Sequence, residues 1–143
     1  MLTNIKTNSI KILFVDDNVN RITKFKQVMS GTNVWFAQDS QNAILILSAF
    51  DHFDYIFLDY DLETDTRKME KNNGGIVGNF LIKHRDQFTK TKVIVHSYNE
   101  IMGNSLSESL KQHGIDSEYI KGAFLYTHIH PESHELVIDR WLD

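Results

Sequence analysis

Cysteine is absent, and proline occurs once in 143 residues. Without thiols there is no disulfide framework and no cysteine-zinc site, and a reducing compartment is compatible. With so little proline, element boundaries have to be read from hydrophobic period and from glycine. Charge of one sign is not in large excess: 15 Lys and Arg stand against 19 Asp and Glu, a formal net charge of −4. That balance excludes a broad basic surface for nonspecific nucleic-acid binding. No apolar run approaches the roughly 20 residues of a membrane span, so no membrane partner is expected. Residues 1–9 are rich in Thr, Asn and Lys and lack the apolar stretch of a signal peptide. They are expected to form a flexible N-terminal arm on a cytoplasmic protein. The remainder, residues 10–143, is expected to be a single domain. The chain's 41% hydrophobic and 24% charged residues are ordinary for a globular protein with its own core.

Two periods alternate along the chain. Residues 10–15 are a β-rich run that stops at Asp16-Asp17-Asn18, and residues 19–29 carry Ile22, Phe25 and Met29 at helical spacing before Ser30-Gly31. A second strand is expected over 33–37. A helix over 41–50 follows, capped by Asp39-Ser40, with Ala43, Ile44, Leu47 and Phe50 on one face. Residues 54–59 are apolar on both faces through the centre, as buried parallel strands are. The polar stretch 60–75 is long for a compact domain, and such loops are commonly functional. Helices over 76–85 and about 103–112 flank a fourth strand at 92–97. Two segments compete for the fifth strand, 118–121 and 123–129. The second is longer and more aromatic and stops at Pro131, so it is preferred, with Pro131 opening a last helix over 132–142. Five strands alternating with five helices predict a doubly wound α/β domain, a five-stranded parallel sheet with helices on both faces.

In such a sheet the ligand binds beyond the carboxyl ends of the strands. Those ends carry Asp16 and Asp17, then Asp59, Tyr60 and Asp61, then His96, Ser97 and Asn99, and finally His128 and His130. Carboxylates from separate strands would share one crevice, and a bound divalent cation is the simplest relief for like charges held so close. Hard oxygen ligands suit Mg²⁺ or Mn²⁺, and an ion there would hold a phosphoryl group. A phosphate-containing small molecule is the expected ligand.

These residues resemble those of a response-regulator receiver domain. The resemblance in element order runs from about residue 10 to 142. It implies that Asp16, Asp17 and the phosphoacceptor Asp59 bind Mg²⁺, that Asp61 adds a ligand, and that Ser97 contacts the phosphoryl group. It also brings a protein partner if the chain signals. Receivers end the fifth strand with Lys-Pro, whereas the preferred strand here ends in His130-Pro131, and Lys121 is followed by glycine. Leu13-Phe14-Val15-Asp16-Asp17, Leu58-Asp59-Tyr60-Asp61-Leu62 and His96-Ser97-Tyr98-Asn99 are more similar still to the cyclic-phosphate processing receiver domain. Two positions depart from its pattern, Tyr60 for a histidine and Glu100 for a proline. This resemblance implies binding and hydrolysis of a cyclic phosphate, on a nucleotide or on an RNA end. The alternative is a stand-alone receiver phosphorylated on Asp59.

Opening a cyclic phosphate takes an activated water, charge stabilisation at phosphorus and a proton for the leaving oxygen. Asp59, Asp61 and His96 are the candidate catalytic residues, His96 because imidazole titrates near neutrality. Ser97, Asn99 and His130 are the candidate phosphate-binding residues, and Asp16, Asp17, Asp59 and Asp61 the candidate metal ligands. The 60–75 loop, with glycines at its far end, is expected to close over the ligand. Plainer readings stand beside these. Asp16-Asp17-Asn18 makes a good helix cap, Asp59 a turn residue, and His96 a core histidine. His128 and His130 would share a face of an extended segment, which suits zinc or a plain surface. Asp59-x-Asp61 is also similar to the acidic pair of haloacid-dehalogenase phosphatases, which carry it on the first strand.

Overall fold

The structure, a computed structural model, describes residues 10–62 and 72–122 and, as backbone pairing alone, 129–131 and 136–138. Five strands form one parallel sheet: β1 (Lys11–Val15), β2 (Asn33–Ala37), β3 (Tyr55–Leu58), β4 (Lys92–Ser97) and β5 (Asp116–Lys121). Their spatial order is β2-β1-β3-β4-β5. The helices are α1 (Val19–Val28), α2 (Ser40–Ala49), α3 (Gly74–Lys83) and α4 (Glu100–Gln112), with a 3₁₀ turn at Arg85–Phe88. The expected doubly wound architecture is therefore present. Among the described residues, no helix is long and apolar enough to cross a membrane.

Strand residues alternate between two cores because their side chains have a period of two. Leu13, Val15, Ile56, Leu58, Val93 and Val95 belong to the core that also holds residues of α2, α3 and α4. Ile12, Phe14, Phe57 and Ile94 belong to the opposite core, with Ile22 and Phe25 of α1. A strand apolar at every position is therefore one buried on both faces. The α1 side is bound by aromatic rings, Phe14 stacking on Phe25 at 4.0 Å and Phe57 meeting Phe25 edge-on at 5.0 Å.

Each α-helix starts at an Asx cap. Asn18, Asp39, Asn73 and Asn99 accept hydrogen bonds from the backbone N–H of Arg21, Asn42, Ile76 and Met102. The cap of α1 is thus Asn18, which releases Asp16 and Asp17 from the capping role. Gly31 and Gly114, just beyond α1 and α4, have φ of 88° and 84°, the left-handed turn that ends helices.

Two expectations at the C-terminal end are corrected. The fifth strand is Asp116–Lys121, paired along β4 from Lys92↔Asp116 to Ser97↔Lys121. It is an edge strand with only Ser117 and Ile120 buried, so its polar sequence carried less signal than the aromatic run that follows. Residues 123–128, most of the preferred segment, lie outside the described residues. In place of a final helix, β6 (Ile129–Pro131) pairs antiparallel with β7 (Leu136–Ile138). The hairpin's β6 lies against α1. The β-branched Val137 and Ile138 favour extended backbone, and Pro131 sits at a strand end, where its missing N–H costs nothing. The arm at 1–9, the loop centre at 63–71, and residues 132–135 and 139–143 also lie outside the described residues.

Candidate functional site

β1 lies between β2 and β3, with Val15 opposite both Ala37 and Leu58. Asp16 and Asp59 therefore leave adjacent parallel strands side by side. Their backbones continue the ladder: Asp16 N–H donates to Ala37 O and Asp59 N–H to Val15 O, each at 3.0 Å. One carboxylate oxygen from each of Asp16, Asp17 and Asp59 lies within 4.8 Å of the others. Asp16 is fully buried and Asp59 only 4% exposed. Burial first, and the Asp16 charge second, push the Asp59 carboxyl up to about 8, partly offset by Arg21 and by the Asp61 N–H. Burial and Asp16 raise Asp17 in the same way, with Asp61 adding to the repulsion.

The donor set fits a hard divalent ion. All three groups are carboxylates, and ligands on opposite sides of Mg²⁺ stand about 4.2 Å apart. A spread of up to 4.8 Å is close to that, with room for one carboxylate to reach through water, which Mg²⁺ readily retains.

The sequence reading missed a fourth member of this cluster. Arg21, in the first turn of α1, forks onto Asp16, with Nε 2.9 Å from Oδ2 and Nη2 2.9 Å from Oδ1. The same Nη2 lies 3.2 Å from Asp59 Oδ2 and 3.7 Å from Asp17 Oδ1. Its guanidinium carbon is 5.6 Å from the centre of the Tyr98 ring. The available signal was spacing: once Asn18 is the cap, a residue four beyond Asp17 faces back over the strand end.

His96 shares the α1 side of the sheet with Phe14, on which its ring stacks at 5.1 Å and 7°. It is 2% exposed, Nδ1 stands 3.8 Å from Asp16 Oδ2, and Nε2 has no hydrogen-bond partner among the described residues. Burial lowers its pKa to about 4 against the pull of Asp16. The expectation of a ring titrating near neutrality is thus corrected: a buried, stacked imidazole stays neutral.

Ser97 is buried, and its Oγ accepts from the Asn99 N–H at 3.0 Å while Asn99 Oδ1 caps α4. Lys121 ends β5 directly opposite Ser97, and its Nζ is 2.9 Å from Glu100 Oε2. The strand-end lysine is therefore Lys121. The following glycine has a local cause, since a Cβ on Gly122 would stand 2.9 Å from the Tyr98 ring. His130 is corrected accordingly: it lies in β6 opposite Val137, not at the end of the parallel sheet. His128 is outside the described residues.

Asp61 is exposed, and its N–H points at Asp59 Oδ1 from 3.4 Å. Its carboxylate is not one of the three that cluster. The described ends of the 60–75 loop are pinned. Asp61 bridges Asn73, and the Asn72 side chain binds Leu62 O and Ser40 N–H. Gly74 opens α3 so close to the strand that a Cβ would lie 2.4 Å from Asp59 O. This glycine serves close packing against the site.

Residues 11–112 match the family model of the Cyclic-phosphate processing Receiver domain. No curated protein is a match. Among solved structures, the Francisella response regulator 1452 receiver domain is 21% identical with a TM-score of 0.60, over 83% of this chain and 88% of that one. The Mn²⁺-bound form of response regulator Rcp1 is 16% identical with a TM-score of 0.58, over 78% and 80%. A Burkholderia pseudomallei response regulator with a phosphorylated aspartic acid, calcium ion and citrate is 17% identical with a TM-score of 0.59, over 79% of this chain and 59% of that one. At these identities the likeness is one of fold.

Proposed function

The chain belongs to the Cyclic-phosphate processing Receiver domain family, and from that premise we propose that it holds Mg²⁺ or Mn²⁺ on Asp16, Asp17 and Asp59 and binds the phosphoryl group of a cyclic phosphate. The ligand is a cyclic nucleotide or an RNA 2′,3′-cyclic end. One observation carries the reading: three carboxylates from two neighbouring strand ends lie within 4.8 Å, mostly buried, at the edge where doubly wound sheets take ligands. The ion neutralises the phosphate that the carboxylates alone would repel. The Ser97 hydroxyl, the Asn99 amide and the Lys121 ammonium are the donors for phosphoryl oxygens. Hydrolysis asks in addition for a proton at the leaving oxygen. His96, buried and neutral, is poorly suited to deliver it, so that proton comes from solvent in this reading, and exposed Asp61 serves as the base for the attacking water. Binding therefore comes first and turnover second.

The test is equilibrium binding of 2′,3′-cyclic and 3′,5′-cyclic mononucleotides with Mg²⁺ and with EDTA, followed by chromatography for opened product. The reading expects Mg²⁺-dependent binding that Asp59→Asn removes. No binding of any cyclic phosphate at millimolar concentration with Mg²⁺ present would overturn it.

A second reading, phosphorylation of Asp59 in a signalling relay with a protein partner, is favoured by a separate observation. Lys121 ends β5 beside Ser97, where a receiver's lysine stands. Acetyl phosphate with Mg²⁺ should then add one phosphate by intact mass, and Asp59→Asn should not accept it. Unchanged mass in the wild type excludes this reading without touching the first.

A further inference from the structure

We infer that Arg21 is a built-in counter-ion that occupies the cation position of the acidic crevice and must leave it before a divalent ion can bind. This rests on the cation reading above and adds a condition to it. The oxygens engaged by the guanidinium are those a metal would need: both of Asp16 at 2.9 Å, Oδ2 of Asp59 at 3.2 Å and Oδ1 of Asp17 at 3.7 Å. An ion bound at about 2.1 Å from these oxygens takes the same lone pairs and stands against a second positive charge. The two occupants are mutually exclusive.

Charge sets the direction of exchange. With all three carboxylates ionised, one guanidinium leaves two negative charges uncompensated among the described residues, whereas a divalent ion leaves one. Opposing it is the forked pair with fully buried Asp16, which the ion must break. Apparent affinity for metal is therefore reduced by the fraction of molecules whose crevice is open. The arginine also has somewhere to go. Its side chain is 25% exposed, and the Tyr98 ring, 65% exposed, already lies 5.6 Å from its guanidinium carbon. Sliding onto that ring would keep the fork at the rim of the site, within reach of an anion. Metal entry thus delivers a phosphate-binding group, and the order of binding is metal first, phosphate second.

The experiment titrates Mg²⁺ and Mn²⁺ alone, with no phosphate ligand. Calorimetry follows binding to wild type, Arg21→Ala and Arg21→Gln, and ¹⁵N NMR follows the Arg21 Nε–H of the wild type. Affinity should rise about tenfold in either variant, as expected when a blocked crevice is opened. The wild-type Nε–H signal should move in step with the Asp17 and Asp59 amides. Equal or weaker metal binding by both variants while the wild type binds would overturn the inference and leave the cation reading standing. Should neither variant fold, an Nε–H signal unmoved at saturation has the same consequence. Absence of metal binding in the wild type and both variants ends the cation reading, and the inference with it.

Discussion

The two ends of the parallel sheet treat charge in opposite ways. At the amino end, Asp54 accepts from the Lys11 N–H at 2.8 Å and lies 2.9 Å from His52 Nε2. Lys92 stands 3.2 Å from Glu118 and 3.5 Å from Asp116, and Thr91 Oγ1 donates to Phe53 O at 2.6 Å. Here Asp116 and Glu118 flank one ammonium, Asp54 meets a backbone N–H and a ring nitrogen, and the Asp116 side chain is 64% exposed. At the carboxyl end, three carboxylates share one guanidinium, with Asp16 fully buried and Asp59 nearly so. One end is electrostatically finished, and the other is left under repulsion that a ligand can relieve. Unfavourable charge in a crevice, where the same fold neutralises charge elsewhere, is what marks the site.

The largest expected effect follows from removing one of the crowded charges. Asp59→Asn should weaken Mg²⁺ or Mn²⁺ binding about 100-fold or more, because a ligand is lost outright. It should also raise the melting temperature of the metal-free protein at pH 8 by about 5 °C, because the repulsion goes with it. The sign follows from the raised carboxyl. Its pKa is about 8 folded against 3.8 in the reference state, so between those values the folded protein binds more protons than the unfolded one. Stability then falls as pH rises through that window. Calorimetry in EDTA from pH 5 to pH 8 should show this decline in wild type and a flatter profile in Asp59→Asn. Parallel profiles would show that the carboxyl end is no more strained than the amino end.

A smaller effect separates His96 from the charged cluster it borders. Its lowered pKa works in the opposite direction: between pH 6.5 and about 4 the unfolded ring takes a proton that the folded ring refuses, so acidification destabilises. His96→Phe keeps a ring against Phe14 and removes the unpartnered nitrogen, so at pH 7 its stability should lie within about 1 kcal/mol of wild type. At pH 5 the variant should gain a further advantage of about 2 kcal/mol. Urea melts at the two pH values measure this, and Mg²⁺ affinity should fall far less than in Asp59→Asn, because His96 is not among the three clustered ligand groups. If the variant folds as well as wild type yet loses metal binding, His96 belongs to the site after all.

What the sequence made legible divides along the same lines. Strands buried on both faces, such as 12–15 and 56–58, announce themselves by unbroken apolarity, and their ends identify Asp16, Asp17 and Asp59. The edge strand Asp116–Lys121 does not, since an edge needs little apolar surface, and misplacing it moved the strand-end lysine from Lys121 to His130. His96 was readable as a strand residue. Its burial was not, because that depends on Phe14 of another strand stacking on it. Arg21 was invisible for a related reason: an arginine on a surface helix carries no sign of its partners until Asn18 is known to cap the helix and β1 and β3 are known to be neighbours.

The smallest effect is expected at the amino end, where it is the sharpest control. Lys92→Met removes the cation between Glu118 and Asp116, a pair of contacts on the edge of the sheet with one partner largely exposed. The screened Asp116 contact contributes about 0.5 kcal/mol and the better-shielded Glu118 contact, at a side chain 17% exposed, about 1 kcal/mol at most, and the methionine retains the packing of the aliphatic stem. The variant should therefore melt within a few degrees of wild type, by about 1.5 kcal/mol or less. Its divalent-ion affinity should match wild type within about twofold, because the substitution lies at the far end of β4 from Ser97. A loss of metal binding comparable to that of Asp59→Asn would mean that strain at one end is transmitted along the strand to the other. The carboxyl-end repulsion would then be a property of the whole sheet instead of a local one held by Asp16, Asp17, Asp59 and Arg21.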